Sequence, residues 1–485
     1  MVSQSESGKG IRKAALLTVM PVLFMLLLLV ASIPVSVIVK SGSLPNVDVP
    51  DVLLIANANV VDVRAGTILP GRHILVEQGK VSRISEDHPG GGLSAIDING
   101  AFVTPGLVDM HVHVHDRKDL VTNLAYGVTA VRNLRGFPAH LRWRQELRDQ
   151  DWLGATLFVS SPVLDGPKYA HALQQVVDSP DHARLLVNRY QQSGYDLLKV
   201  YGYLAPDVYE AVMDEAAHIG MPVAKHGPYS PTEEPFKWLE TVQSLEHVED
   251  IFQGPLNRQF DTDALKDYVE KIRLIRPYIT PTLATFDHLT QLSTDKQAFV
   301  ERIPLQQLNP FFKWLYGMAS VERWLQASSE SADWNTQELG FLQQIARSLS
   351  DNDIPLLIGS DAGTMYMTAG ISTHIEMQLM QDAGISDEKI IRYATLNAAR
   401  AMQLDHEYGA VEPGRWADFI ITAENPLHNI RTLQKPLSVV KRGQFIDRKS
   451  LDKLLELADS PAGFYIGMGI LLEDIVTRWW TDLVA

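Results

Sequence analysis

The stretch TPGLVDMHVHVH, residues 104–115, decides the fold of this chain. An apolar run ends there in alternating histidines, and residues two apart on a β-strand point to the same face. His111 and His113 can therefore bind one cation from the end of a buried strand. His115 continues the series, and we place it at the mouth of the site as a candidate for substrate binding.

Four other apolar runs along the chain end in a side chain of the kind found at metal sites. These side chains are Lys199 in YDLLKVYG, His226 in VAKHG, His247 in SLEHVED and Asp361 in LLIGSDAG. Parallel strands of one barrel would bring them to the same mouth as the His-x-His pair. The sequence therefore predicts a two-metal hydrolase site.

Short apolar runs alternate with helical stretches over the central part of the chain. Eight runs resemble buried strands, at about 103–113, 127–133, 155–161, 195–201, 222–227, 244–249, 278–284 and 354–360. Helical periodicity is clear at 181–192, 206–218 and 373–382. This alternation predicts an α/β fold, a (β/α)8 TIM barrel over 104–408 with its chemistry at the C-terminal ends of the strands.

The composition is that of a large folded chain, and it excludes several kinds of site. The 485 residues carry a net charge of −15, which gives no basic footprint, and we therefore expect no nucleic-acid partner. Cysteine is absent, which excludes thiolate metal ligands, a cysteine nucleophile and disulfides. Metal binding must therefore use histidine, carboxylates and lysine.

The chain resembles the amidohydrolase superfamily, and more closely its imidazolonepropionase-like and prolidase-like branch. The motifs that carry the resemblance are TPGLVDMHVHVH at 104–115, GVTAVRNL at 127–134, LLKVY at 197–201, AKHG at 224–227, SLEHVEDI at 244–251, IGSDAG at 358–363, ATLNAARAM at 394–402 and VEPGRWADFIITAENPL at 411–427. With the flanking segments, the resemblance spans about residues 52–447. So many motifs in one order are hard to obtain by coincidence.

The resemblance implies a centre of two divalent metal ions, with zinc expected. His111 and His113 with Asp361 would bind one ion. His226 and His247 would bind the other.

The resemblance also gives Lys199 a special role. In related enzymes a lysine at this position is carboxylated by CO2, and the carbamate bridges the two metals. The apolar run around Lys199 favours the neutral amine that this reaction requires. A lysine that pairs with an acid at the strand end is the alternative.

The reaction implied is hydrolysis by a hydroxide that bridges the metals. Asp361 would act as the general base and then pass the proton to the leaving amine. Tyr201 or Tyr229, each shortly past a ligand strand, would stabilise the oxyanion.

The prolidase-like relatives imply the substrate, a dipeptide or an N-acyl amino acid whose carboxylate binds basic groups. Arg135, Lys168 and His171 follow the second and third predicted strands and are the candidates. Two rival activities stay open, a one-metal cyclic amidohydrolase of the imidazolonepropionase type without a carboxylated Lys199, and a lactonase. A non-catalytic, membrane-tethered binding barrel is the alternative from another class.

Two further segments surround the barrel. Residues 52–103 and 409–447 contain short alternating strands, which in the resembled family join into a small β-sandwich. The connection at 286–353 is much longer than a helical crossover needs and carries FFKWLYGMASVERW. It predicts either a helical lid over the mouth or a helical pair packed on the outside.

The N-terminal region predicts a location. Residues 14–39 are uncharged and apolar, and as a helix they would reach roughly 39 Å, enough to cross a bilayer core of about 30 Å. Basic residues within 1–13 place that segment in the cytoplasm and the barrel outside, in the periplasm or the extracellular space. A signal peptide cleaved near Ala31 is the alternative.

The tail at 463–485 predicts an amphipathic helix. One face would carry Glu473, Asp474, Thr477, Arg478, Thr481 and Asp482. The opposite face would carry Ile475, Val476, Trp479, Trp480 and Leu483. Such a stripe is typical of a helix that docks on its own domain, and an interfacial membrane helix or a subunit contact in a homo-oligomer are the alternatives.

Overall fold

The structure, a computed structural model, describes residues 31–39, 50–89, 92–170, 173–226, 239–459 and 463–483. Within them the strands are β1 (Val52–Asp62), β2 (Thr67–Glu77), β3 (Lys80–Ser85), β4 (Ala95–Asp97), β5 (Phe102–Pro105), β6 (Leu107–Val112), β7 (Val128–Asn133), β8 (Thr156–Asp165), β9 (Gln174–Val176), β10 (Leu197–Val200), β11 (Val223–His226), β12 (Ser244–Glu246), β13 (Ile279–Thr280), β14 (Phe419–Thr422), β15 (Ser438–Lys441) and β16 (Gln444–Asp447).

The helices begin with α1, residues 31–38. The others are α2 (Arg117–Ala125), α3 (Pro138–Arg148), α4 (Pro180–Gln192), α5 (Pro206–Ile219), α6 (Glu249–Gln253), α7 (Thr262–Arg273), α8 (Leu283–Thr294), α9 (Gln297–Val300), α10 (Pro310–Tyr316), α11 (Glu322–Leu325), α12 (Ser329–Asp351), α13 (Ile371–Asp382), α14 (Asp387–Arg392), α15 (Ala398–Ala401), α16 (Arg448–Ala458) and α17 (Phe464–Leu483). Sequence periodicity placed α4, α5 and α13 to within two residues.

Parallel strands form a nearly closed barrel, as predicted. Seven strands pair in the order β13-β12-β11-β10-β8-β7-β6, with helices between most of them. Their apolar side chains are buried because both faces of the sheet are covered, which explains why these strands have near-continuous apolar sequences. The C-terminal ends of β6, β10, β11 and β12 meet at one mouth.

The eighth predicted strand, 354–360, differs from the expectation. It closes the barrel through isolated parallel bridges, Leu356 to Ile279 and Ala362 to Val112. Between the bridges, the Asp109 carboxylate accepts hydrogen bonds from the backbone N–H groups of Ser360 and His111, each at 3.1 Å. A side chain therefore replaces part of the backbone ladder at the point where Asp361 leaves the barrel wall.

The flanks join in one hydrogen-bonded sheet. Its order is β16-β15-β14-β5-β1-β2-β3, with β4 paired to β1, so the C-terminal strands join the N-terminal strands through the pair β14–β5. They share an apolar core that includes Ile55, Val103 and Phe419. The expected union of 52–103 with 409–447 is thus found, as one eight-stranded sheet rather than as two separate sheets.

The long connection, residues 286–353, combines the two predicted arrangements, a helix over the mouth and helices packed on the outside of the barrel. Helix α10 lies at the mouth, where Phe312 stacks on the His115 ring at 3.9 Å between centroids. Helix α12 instead packs against α7, α8 and α13 beside the barrel.

Most of the predicted membrane segment, 14–39, lies outside the described residues. Its last part forms α1. Among the residues that the structure describes, none of the helices is both long enough and apolar enough to cross a bilayer.

Candidate metal centre

Three of the predicted ligands converge at the end of β6. The Oδ1 atom of Asp361 lies 2.9 Å from Nε2 of His113 and 3.6 Å from Nε2 of His111. One ligand atom of each residue lies within 4.8 Å of the other two, and all three residues are buried. Zinc ligands lie about 2.0–2.2 Å from the ion, so this group has the size and the donor types for one divalent cation.

Two more histidines adjoin this group. The His247 ring lies 4.7 Å from that of His111 and 4.6 Å from that of His226, between centroids. His247 is held by Thr282, whose Oγ1 is 2.7 Å from Nδ1. His226 stacks on Tyr201 at 4.5 Å. Four imidazole rings thus form a continuous row across the mouth.

Three of these imidazoles, those of His113, His226 and His247, are in the form that binds metals. Burial, with Arg135 nearby, lowers the pKa of His113 to about 3. Burial also lowers the pKa values of His226 and His247 well below their usual range. At neutral pH these rings are therefore uncharged and can offer a nitrogen lone pair to a cation.

Lys199 reaches the same cluster from the end of β10. It is only 1% exposed, its Nζ finds no hydrogen-bond partner among the described residues, and it lies 5.7 Å from the centre of the Tyr201 ring. Burial lowers the pKa of Lys199 to about 8, although Glu246 opposes the shift. A buried polar atom without a partner requires an explanation, and a carboxylated lysine bound to metal supplies one.

The backbone is strained at this cluster. His247, Thr282 and Asp361 have φ values of 69°, 54° and 58°, in the left-handed region that side chains other than glycine rarely adopt. Such strain persists where the surrounding structure enforces it, and it concentrates at functional sites. The sequence carries no sign of it because none of the three is a glycine.

Sequence reasoning missed a buried ion pair behind His111. Glu246 Oε2 lies 2.8 Å from His111 Nδ1, and Arg132 donates to Glu246 Oε1 at 2.7 Å. Burial raises the pKa of Glu246, but Arg132 and His111 outweigh it and hold the pKa well below its usual range. The carboxylate therefore fixes the ring so that Nε2 faces Asp361. The available signal was an acidic residue inside the buried run SLEHVED.

Arg135 lies at the mouth together with α10. It is 8% exposed and donates to the Tyr316 hydroxyl at 2.6 Å, while its Nε lacks a partner among the described residues. That hydroxyl is also 3.5 Å from Nε2 of His115.

Tyr201, which stacks on His226, can donate a hydrogen bond at the site. Burial raises the pKa of Tyr201 to about 12, so the Tyr201 hydroxyl remains a hydrogen-bond donor at neutral pH.

The other predicted substrate residues are placed differently. Lys168 lies on an exposed loop after β8, with Nζ 4.9 Å from the centre of the Tyr169 ring. Tyr229 and His171 lie outside the described residues.

Comparison with known sequences agrees with this geometry. A model described as "Amidohydrolase family" matches residues 102–446. An adenine deaminase from Latilactobacillus sakei subsp. sakei is 23% identical over 410 residues, 81% of this chain and 58% of that protein. A dihydroorotase from Carboxydothermus hydrogenoformans is 42% identical over 64 residues, 13% of this chain and 15% of that enzyme. The chain thus matches little more than half of the length of the first relative.

Solved structures share the fold. A bottromycin amidohydrolase superimposes with a TM-score of 0.71 at 26% identity, covering 89% of this chain and 93% of its own. A putative prolidase from Bifidobacterium longum superimposes with a TM-score of 0.63 at 22% identity, covering 85% of this chain and 100% of its own.

Proposed function

Since the chain belongs to the amidohydrolase family, we propose that it is a hydrolase acting on carbon–nitrogen bonds and that it cleaves the amide bond of a dipeptide or an N-acyl amino acid with two divalent metal ions. The observation that carries this proposal is the buried Nζ of Lys199, which has no hydrogen-bond partner among the described residues and lies near His226, His247 and Asp361. Zinc is the expected metal because the donors are nitrogen and oxygen.

The cluster would hold two ions, each bound by its own set of side chains. His111, His113 and Asp361 would bind the first, and His226 and His247 the second. A carboxylated Lys199 would supply one oxygen to each. When bound, the ions lower the pKa of water towards about 7 and polarise the substrate carbonyl.

Asp361 would move the proton. Its Oδ2 accepts a hydrogen bond from Thr285 Oγ1 at 3.2 Å, which orients the carboxylate. Burial raises the pKa of Asp361, but the hydrogen bond with His113 and the nearby His111 outweigh it, and the pKa is about 2. At neutral pH the group is therefore ionised, able to accept a proton from the attacking water and pass it to the leaving amine.

The mouth would bind the substrate through its carboxylate. Arg135 is a fixed cation whose Nε–H has no acceptor within the part of the chain that the structure describes, which suits a carboxylate. Tyr201 would donate its O–H to the oxyanion that forms at the scissile carbonyl. Tyr229, Lys168 and His171 stay predictions.

Removal of the Lys199 amine tests the metal count. Lys199→Met should reduce the metal content from about two ions per chain to one or fewer and abolish turnover. Lys225→Met is the matched control, because Lys225 is also 1% exposed, on the next strand, and burial lowers its pKa to about 7. The control should keep both ions.

The same experiment distinguishes the two-metal proposal from the rival one-metal activity. A Lys199→Met protein that binds one metal and keeps its full rate would overturn the two-metal proposal and favour a one-metal cyclic amidohydrolase. The substrate panel should include dipeptides, N-acyl amino acids, cyclic amides and lactones.

We also propose that residues 14–39 anchor the chain in a membrane with the barrel on the non-cytoplasmic side. The length and apolarity of that stretch and the basic residues before it support the proposal. The full-length chain should stay in the membrane fraction after carbonate washing, and protease added from outside should reach the barrel. A soluble protein that starts near residue 32 would instead indicate a signal peptide.

A further inference from the structure

The second half of the C-terminal helix α17, from Glu473 onward, contacts the rest of the protein through its polar face. Arg142 binds Glu473, and Arg478 donates to the Gln174 carbonyl at 2.7 Å. Further along, Gln175 donates to Asp482 at 3.1 Å. This is the reverse of the usual arrangement, in which a helix on a globular protein buries its apolar stripe.

The apolar face of the second half of α17 is left exposed. Its exposed fractions are 38% for Ile475, 53% for Val476, 61% for Trp479, 59% for Trp480 and 61% for Leu483. At about 100° per residue these five side chains fall within an arc of about 140°. A contiguous apolar surface of this kind marks a contact with another apolar phase.

Helix α1 is packed against the first half of α17. Ser32 and Ser36, one turn apart, are 1% and 0% exposed. A Cβ atom at Gly469 would lie 2.1 Å from the Ser32 carbonyl oxygen, so the two helices touch through small residues. The Arg117 guanidinium also donates to the Val39 carbonyl at 3.2 Å. The end of the apolar run 14–39 is therefore fixed beside α17.

We propose that the apolar face of α17 docks on a lipid bilayer, the one that residues 14–39 anchor. The inference rests on the proposed anchorage. A bilayer fits better than a second copy of the chain because α1, the continuation of the apolar run, lies against the same helix and also exposes apolar side chains, Val37, Ile38 and Val39. Two adjacent tryptophans are typical of the layer between lipid tails and water.

Docking would also place the mouth of the barrel close to the membrane. Phe464 at the start of α17 contacts Phe311 of α10 at 5.2 Å between ring centroids. Helix α10 in turn carries Tyr316, which binds Arg135 at the candidate site.

The absence of cysteine from the sequence allows a direct test. Single variants Trp480→Cys and Val476→Cys, each carrying a nitroxide spin label, would be compared with Leu274→Cys on the full-length chain in phosphatidylcholine vesicles. Leu274, just after α7, is 84% exposed and serves as the water reference. Collision rates of each label with oxygen, which concentrates in lipid, and with a water-soluble nickel chelate would be measured.

We expect labels at 476 and 480 to collide mainly with oxygen and the label at 274 mainly with nickel. High nickel access at 480 would overturn the inference, and so would low access to both, which would indicate a contact between two copies. Carbonate washing of the same samples tests the anchor by itself. A chain that is retained but has a water-exposed label refutes the docking alone, and a chain that is extracted although its labels are in lipid refutes the anchor alone.

Discussion

Glu246→Gln should both weaken metal binding and lower the stability of the fold. The substitution keeps the shape of the side chain but leaves the Arg132 guanidinium, 0% exposed, without its counter-charge. The other donors of Arg132 stay satisfied, since Nε binds the Met110 carbonyl and NH1 binds Gln243 and Ser244.

The magnitude follows from these contacts. Breaking a buried ion pair by removing one charge costs about 3–5 kcal/mol, and we expect the lower end because the glutamine amide oxygen can still accept one hydrogen bond. Loss of a carboxylate partner behind a metal-binding histidine usually costs about 10–100-fold in metal affinity.

The assay combines chelator competition for the metal with denaturant unfolding of the metal-free protein. Glu270→Gln is the matched control, because Glu270 also pairs with an arginine, Arg273, but its side chain is 63% exposed. A surface pair of this kind contributes about 0–1 kcal/mol. The double variant Glu246→Gln with Arg132→Met should recover part of the stability but none of the metal affinity. A Glu246→Gln protein with unchanged metal affinity would refute the orienting role.

Three further predictions concern catalysis, substrate binding and pH. Asp361→Asn should lower kcat on the order of 10² or more while the protein stays folded, and a kcat unchanged on the substrate panel would contradict the general-base role. Arg135→Met should raise KM for substrates with a free carboxylate more than KM for the corresponding amides. Lys168→Met, at an exposed position, should change KM less. Equal effects of Arg135→Met on acids and amides would contradict a role of Arg135 in binding the carboxylate. Burial, with Asp116 nearby, raises the pKa of Asp119 to about 7, above an unfolded value of about 3.9. As the pH rises, the unfolded chain therefore loses this proton before the folded chain does, and the free energy of unfolding falls between about pH 4 and pH 7. Because asparagine does not titrate, Asp119→Asn should remove at most about 4 kcal/mol of that fall when unfolding is measured at a series of pH values. A variant with the same pH profile as the unchanged protein would contradict the assignment.

The clustering of the candidate ligands could be predicted from the sequence, because each of them follows a short apolar run that pattern alone identifies as a strand. His111, Lys199 and His226 needed only the strand ends and the rule that parallel strands carry function at one edge. Their partners could not be found in this way. Glu246 meets His111 across 135 residues of sequence, and no local pattern encodes that register.

Two other features were beyond sequence reasoning for different reasons. The left-handed backbone of Thr282 is imposed by tertiary contacts, since a β-branched residue rarely adopts it. The amphipathic pattern of α17 was predicted from its residues, but the pattern by itself does not say which face meets the protein. The salt bridge from Arg142 and the close contact of Gly469 with Ser32 decide that orientation.

The charges at the cluster would explain the place of a lysine among the proposed ligands. Two divalent ions would bring four positive charges into a buried site whose histidines are neutral and whose Glu246 is already balanced by Arg132. Asp361 alone would offset one of these charges. Because a carbamate converts Lys199 from a neutral or positive group into an anion, it would offset a second, and a pKa of about 8 leaves a fraction of the amine neutral for reaction with CO2 at physiological pH. Burial of Lys199 would thus enable the modification that allows a second metal to bind.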